Sequence, residues 1–142
     1  MSTKSTENST YFWTYLFFVI AASFFTYFHN YQSPPYAFWD EPYHVASAQK
    51  YLNSEFFMEQ HPPLGKLLIA LGEHLIKGNA QNSQFLDTDY ANFPSSFSFA
   101  GYRLFPSLFG WLTAPLLFFI FFLINKNPKI SALLSFLYIF FF

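Results

Sequence analysis

Two clusters of ionisable residues on one polar stretch could do chemistry together. The first is the acid pair Asp40-Glu41, inside Phe38-Trp39-Asp40-Glu41-Pro42. The second is His61-Pro62-Pro63-Leu64-Gly65-Lys66, preceded by Glu59-Gln60. An open carboxylate can act as a general base, taking the proton of a hydroxyl as its oxygen attacks a carbon. Cations at a helix start can hold a departing phosphate, because unpaired N–H groups and the helix dipole attract anions there. Arg103, after Tyr102, is a third candidate. It could pair with Asp40, or its planar fork could take a phosphate bidentately.

Each cluster also has a plainer reading. An acid just before Pro42 favours a helix N-terminus, and taken alone the pair reads first as a cap. The two roles coexist, since a cap would hold the carboxylate rigidly. The 61–66 stretch reads equally as the start of a Pro-initiated amphipathic helix whose lysine lays its stem along apolar surface. Arg103 beside aromatic residues is otherwise an interfacial anchor. The histidines, His29, His44, His61 and His74, form no metal motif, so a divalent metal has no support in the sequence. No Gly-rich nucleotide loop is present, which argues against a soluble nucleotide-sugar donor.

The elements that must position these residues belong to a membrane protein. Of the 142 residues, 53% are hydrophobic, 11% are charged and 23 are Phe. Soluble domains carry about 25% charged residues. The net charge of −1 argues against nucleic acid as a partner. Without cysteine the chain has no disulfides or thiolate metal sites.

A first span is expected over 11–28, a run without charge near the lower limit of length for crossing a bilayer. A cleaved signal peptide is the competing reading. Lys4 is the lone cation before the span and no small-residue cleavage site follows, which favours an uncleaved anchor. A second span is expected over 104–124, with Pro106 and Pro115 inside it. Prolines are tolerated in membrane helices where neighbours re-satisfy the freed carbonyls. A third apolar run, 130–142, is shorter than the roughly 20 residues a span needs, so the chain reads as interrupted there.

The loop 125–129 carries Lys126 and Lys129, which assigns it to the cytoplasm. The tail 1–10 is then cytoplasmic too, and the stretch 29–103 lies on the external side, periplasmic or lumenal. Two short helices are legible in it. Pro42 suits a first helical position, with Val45, Ala48 and Leu52 following at helical spacing to about Asn53. Pro63 opens a second helix and Gly78 is expected to close it. Leu64, Leu67, Leu68, Leu71 and Leu75 line one side of this helix; Lys66, Glu73 and Lys77 line the other. Such a helix either lies in the membrane interface or packs its stripe on protein. Residues 78–101 read as an irregular loop returning to the second span.

Three blocks now stand in order. They are Phe38-x-Asp40-Glu41-Pro42-Tyr43-His44, then Glu59-Gln60-His61-Pro62-Pro63-Leu64-Gly65-Lys66, then Gly101-Tyr102-Arg103-Leu104-Phe105-Pro106. Together they resemble the N-terminal region of protein O-mannosyltransferases, most closely the bacterial members described as phospholipid-carrier-dependent glycosyltransferases. The likeness runs over 37–117. It implies an all-α integral membrane protein of the GT-C type, here with two full membrane helices, a truncated third and interfacial helices in the first external loop. It implies transfer of mannose from a polyprenyl-phosphate donor to protein Ser or Thr hydroxyls, with inversion and an active site on the external face. The family's acid pair falls on Asp40 and Glu41 as catalytic residues, with Asp40 the better candidate base. Its His-Pro-Pro block and its arginine fall on His61, Lys66 and Arg103, near the donor phosphate. No other cofactor is implied; the partners are the bilayer, the lipid-linked sugar and the acceptor protein. A bacterial inner membrane is the expected location. The family has more spans than this chain, so the polypeptide alone is expected to be inactive. Two other readings stand beside this one: a relative that adds aminoarabinose to lipid A, and a non-catalytic membrane remnant. His61 and the Gly65-Lys66 pair favour the mannosyltransferase side over the first.

Overall fold

In the computed structural model the described residues form helices joined by turns, with no strand among them. The structure describes residues 3–58, 61–79 and 93–141, with side chains from residue 10 onward. Glu59, Gln60 and most of the expected irregular loop lie outside the described residues. The helices are α1 (Thr3–Ser23), which runs on into a π-helical turn (Phe24–Phe28), α2 (Glu41–Leu52), α3 (Leu64–Ile76), α4 (Ala100–Asn125) and α5 (Pro128–Phe141). They fall into two compact units, Met1–His29 with Ser107–Phe142, and Asn30–Pro106.

The first unit holds α1 with its π turn, α5, and α4 from Ser107 onward. Thr10–Phe28 and Ala100–Asn125 are long and apolar enough to cross a membrane; Pro128–Phe141 is apolar but shorter. The core is Leu16, Val19, Ala114, Phe118, Ala132 and Ile139. Ser23, Ser131 and Ser135 are fully buried beside it. Each hydroxyl donates back to a carbonyl of its own chain, to Val19, Asn127 and Ser131, at 2.8 to 2.9 Å. These bonds meet the rule that polar groups in an apolar setting must be satisfied internally. Large side chains such as Phe17, Leu123 and Phe140 face outward. Alanines and serines within the core, with large apolar side chains also outside, suit helices surrounded by lipid or by further helices. Pro106 and Pro115 sit within α4 without ending it. α5 starts before the apolar run at Ile130, because Asn127 caps it: its Oδ1 accepts the Lys129 N–H at 3.0 Å.

The second unit is built from α2, α3 and the start of α4 around Val45, Ala48, Ala70, Phe97, Phe99 and Tyr102. The Phe97 and Tyr102 rings stack with centroids 5.6 Å apart. α3 crosses the start of α4 at Gly72 and Gly101. A Cβ on Gly72 would strike the Gly101 carbonyl, and one on Gly101 would strike Glu73, so only glycine allows this approach.

Two features of α3 differ from the sequence reading. The helix ends at Ile76, and Lys77 rather than Gly78 takes the left-handed cap, with φ 55° and its N–H on the Glu73 carbonyl at 2.7 Å. Gly78 serves packing instead, since a Cβ there would meet the Ser98 hydroxyl at 3.0 Å. The second difference is direction. Lys66 and Glu73 are buried, while Leu64, Leu67, Leu71 and Leu75 are exposed. The leucine stripe faces away from its own unit.

Candidate functional site

The start of α2 carries the acid pair. Asp40 occupies the N-cap position, and its carbonyl accepts the N–H of Tyr43 at 3.0 Å. Its side chain makes no capping hydrogen bond. The carboxylate lies instead 3.3 Å from Nε2 of His44, one turn on, and remains 76% exposed. Trp39, just before it, has the left-handed φ of 55° and an almost fully exposed indole. A bulky residue in that region stores roughly 1–3 kcal/mol of strain, and such positions cluster at functional sites.

Glu41 is adjacent in sequence and opposite in environment. Arg103 grips its carboxylate with two parallel bonds, Nε to Oε1 at 2.6 Å and Nη2 to Oε2 at 2.8 Å. The same guanidinium donates through Nη1 to the carbonyls of Gln32 (2.9 Å) and Pro34 (2.7 Å), and through Nη2 to that of Tyr36 (2.9 Å). Its face lies 4.2 Å from the Phe99 ring centroid and 5.4 Å from that of Phe38. The side chains of Arg103 and Glu41 are only 9% and 17% exposed.

This arrangement corrects one expectation. Arg103 pairs with Glu41, not Asp40. A guanidinium has five N–H donors, and all five point at Glu41 or a loop carbonyl, so none remains for a phosphate. Arg103 therefore holds the chain from Gln32 to Glu41 onto the first turn of α4. Glu41, paired through both oxygens and 17% exposed, is less open to a substrate than Asp40.

The cations of the second motif are divided. His61 is exposed ahead of α3, and Lys66 is buried on its inner side. Lys66 is thus not a lysine reaching into solvent. Among the described residues no three His, Asp or Glu side chains come together as a metal site. The sequence reading missed the carbonyl cage of Gln32, Pro34 and Tyr36, which no side-chain motif could announce. It also missed a buried Glu73–Asn79–Ser98 network, whose one sequence signal is an acid opposite a leucine stripe.

Two helices long and apolar enough to cross a membrane, and an acid pair of which one member is clamped by an arginine, accord with a membrane protein. Residues 8–142 match the family model described as dolichyl-phosphate-mannose-protein mannosyltransferase, and the chain belongs to that family. It is 30% identical over 135 residues to Protein O-mannosyl-transferase 2 of Drosophila pseudoobscura pseudoobscura, covering 95% of this chain and 18% of that one. It is 33% identical over 97 residues to Dolichyl-phosphate-mannose--protein mannosyltransferase 6 of Saccharomyces cerevisiae, covering 68% and 12%. Against Protein O-mannosyl-transferase 2 of Danio rerio the identity is 42% over 57 residues, covering 40% and 8%. The chain thus spans less than a fifth of the length of these relatives. No solved structure matches it.

Proposed function

We propose that this chain supplies the acceptor-activating part of a membrane transferase that moves mannose from a polyprenyl-phosphate donor to Ser or Thr hydroxyls of proteins. The observation that carries the reading is the division within the acid pair. Glu41 is paired with Arg103, while Asp40, 76% exposed at the start of α2, stands open.

In this mechanism Asp40 takes the hydroxyl proton as the acceptor oxygen attacks the anomeric carbon. The bond from that carbon to the phosphate oxygen breaks on the opposite side, and the configuration inverts. His61, exposed ahead of α3, contacts the departing phosphate in this reading, and Lys66, buried on the first turn, adds its positive charge at a distance rather than by contact. Arg103 acts as a positioning residue, since its donors are taken. The membrane arrangement follows the cation distribution: tail 1–10 and loop 125–129 cytoplasmic, 29–103 external, spans over 11–28 and 104–124, and a third beginning at 130. We read the architecture as GT-C. The compact external loop favours a bacterial inner membrane, although the matched relatives named above are eukaryotic. α3 lies in the membrane interface in this reading, with its leucines toward lipid.

The test is mannose transfer by the whole protein in proteoliposomes, from polyprenyl-phosphate mannose to a Ser/Thr peptide. Asp40→Asn is expected to lower kcat by about 100-fold or more, with donor binding intact. Wild-type turnover in that variant would remove Asp40 from the mechanism.

A further inference from the structure

Glu73 is an unusual residue for the middle of α3. It is 5% exposed, and its Oε1 accepts two hydrogen bonds from Asn79, from the backbone N–H at 2.7 Å and from Nδ2 at 3.2 Å. Asn79 then bridges to Ser98 in both directions. Its Nδ2 donates to the Ser98 carbonyl at 2.7 Å, and its Oδ1 accepts the Ser98 N–H at 2.9 Å. The Ser98 hydroxyl in turn accepts the N–H of Ala100, the first residue of α4, at 3.3 Å. Arg103 lies one turn further, its N–H on the Phe99 carbonyl at 3.0 Å. The other oxygen of Glu73, Oε2, is buried with no hydrogen-bond partner, pressed over Gly101.

A buried acid is expensive to retain unless its bonds do something a leucine could not. Here they connect the C-terminal end of α3 to residues 98–100, beside the close approach of Gly72 and Gly101. We infer that Glu73 is a positioning residue: through Asn79 and Ser98 it fixes the first turn of α4, the turn that presents Arg103 to Glu41. Its bearing on transfer rests on the proposed function; the fixation itself does not.

Amide hydrogen exchange on the whole protein in detergent micelles separates the two. Glu73→Ala is expected to raise exchange of Asn79 and of residues 98–103 at least on the order of tenfold, because both hydrogen bonds from Asn79 are lost. Amides of α1 and α5 keep their wild-type rates. Glu73→Gln is expected to restore protection, because its amide oxygen still accepts the Asn79 N–H. Should Glu73→Ala unfold the protein, Asn79→Ala removes the same bridge without touching the acid and gives the same local signature. Unchanged protection at 98–103 in the folded alanine variant overturns the inference, as does a Gln variant that exchanges as fast as the Ala variant. In the transfer assay, kcat falls on the order of tenfold in the alanine variant with donor KM unchanged, and Gln restores it. Wild-type kcat with loosened amides would likewise overturn the positioning role. A wild-type protein that transfers no mannose sinks the proposed function, and the exchange result then decides the fixation alone.

Discussion

The two short helices of the polar unit use their side chains in opposite ways. α2 resembles a helix of a soluble protein: Val45, Ala46 and Ala48 are buried, and Asp40, beside His44 yet 76% exposed, stands at its start. α3 is inverted, with Lys66 and Glu73 inside and four leucines outside. In the proposed function the contrast separates chemistry from architecture. On α2 one acid is anchored so that its neighbour can be left open. On α3 the buried Glu73 joins segments through Asn79, and the outward face suits an apolar surrounding rather than water. Solvent would favour the reverse, since an exposed leucine side chain forgoes roughly 1.5–3 kcal/mol of burial.

The largest effect should come from the anchor on α2. Arg103→Ala leaves the partly buried Glu41 carboxylate unpaired, and is expected to lower stability by up to about 3 kcal/mol, read from denaturant unfolding in micelles. Arg103→Lys should rescue little, because an ammonium cannot reproduce the bidentate grip and the three carbonyl bonds. A wild-type unfolding midpoint for Arg103→Ala would break the comparison on the α2 side. Next comes the crossing of α3 over α4. Gly101→Ala places a methyl group against Glu73, and overpacking of this kind costs about 1–3 kcal/mol. The same unfolding experiment checks it.

A pH effect follows from Glu73, whose carboxyl is raised above its ordinary value by burial, with the Asn79 bonds pulling the other way. The groups around it are Asn79, the Tyr102 phenol of α4 and the backbone of Gly101. In the window between the ordinary and the raised value, the folded state holds a proton that the unfolded state has lost. Stability therefore falls as pH rises through that window. Glu73→Gln should flatten this slope, and a slope of opposite sign would show the carboxylate to be favoured by its site. The smallest energetic effect is expected on the outer face of α3. The chain has no cysteine, so a single spin label at Leu71→Cys reports cleanly in proteoliposomes. Stability should change by less than about 0.5 kcal/mol, and the label should collide with oxygen in lipid rather than with an aqueous nickel chelate. Preference for the aqueous reagent would show that the leucines face water.

Much of the scaffold was legible because prolines and apolar runs are local signals. Pro42 and Pro63 stand at the starts of α2 and α3, and the charge-free runs lie within the two helices of membrane length. What was not legible was long-range or directional. The Glu41–Arg103 pair spans 62 positions in sequence, and nothing local says which of two neighbouring acids an arginine will choose. An amphipathic stripe states that two faces differ, not which one is inside, so the burial of Lys66 and Glu73 could not be read. The role of Gly78 was hidden for the same reason, because Ser98 claims the space a side chain there would fill.

The division of labour between Asp40 and Glu41 is tested most directly by comparing Asp40→Asn with Glu41→Gln in one preparation, for unfolding midpoint and for mannose transfer. Asp40→Asn should unfold like the wild type and lose transfer by about 100-fold or more. Glu41→Gln should unfold earlier, because it replaces a charge-assisted bidentate pair with a weaker neutral one. An Asp40→Asn protein that transfers normally, or a Glu41→Gln protein as stable as the wild type, would contradict that division.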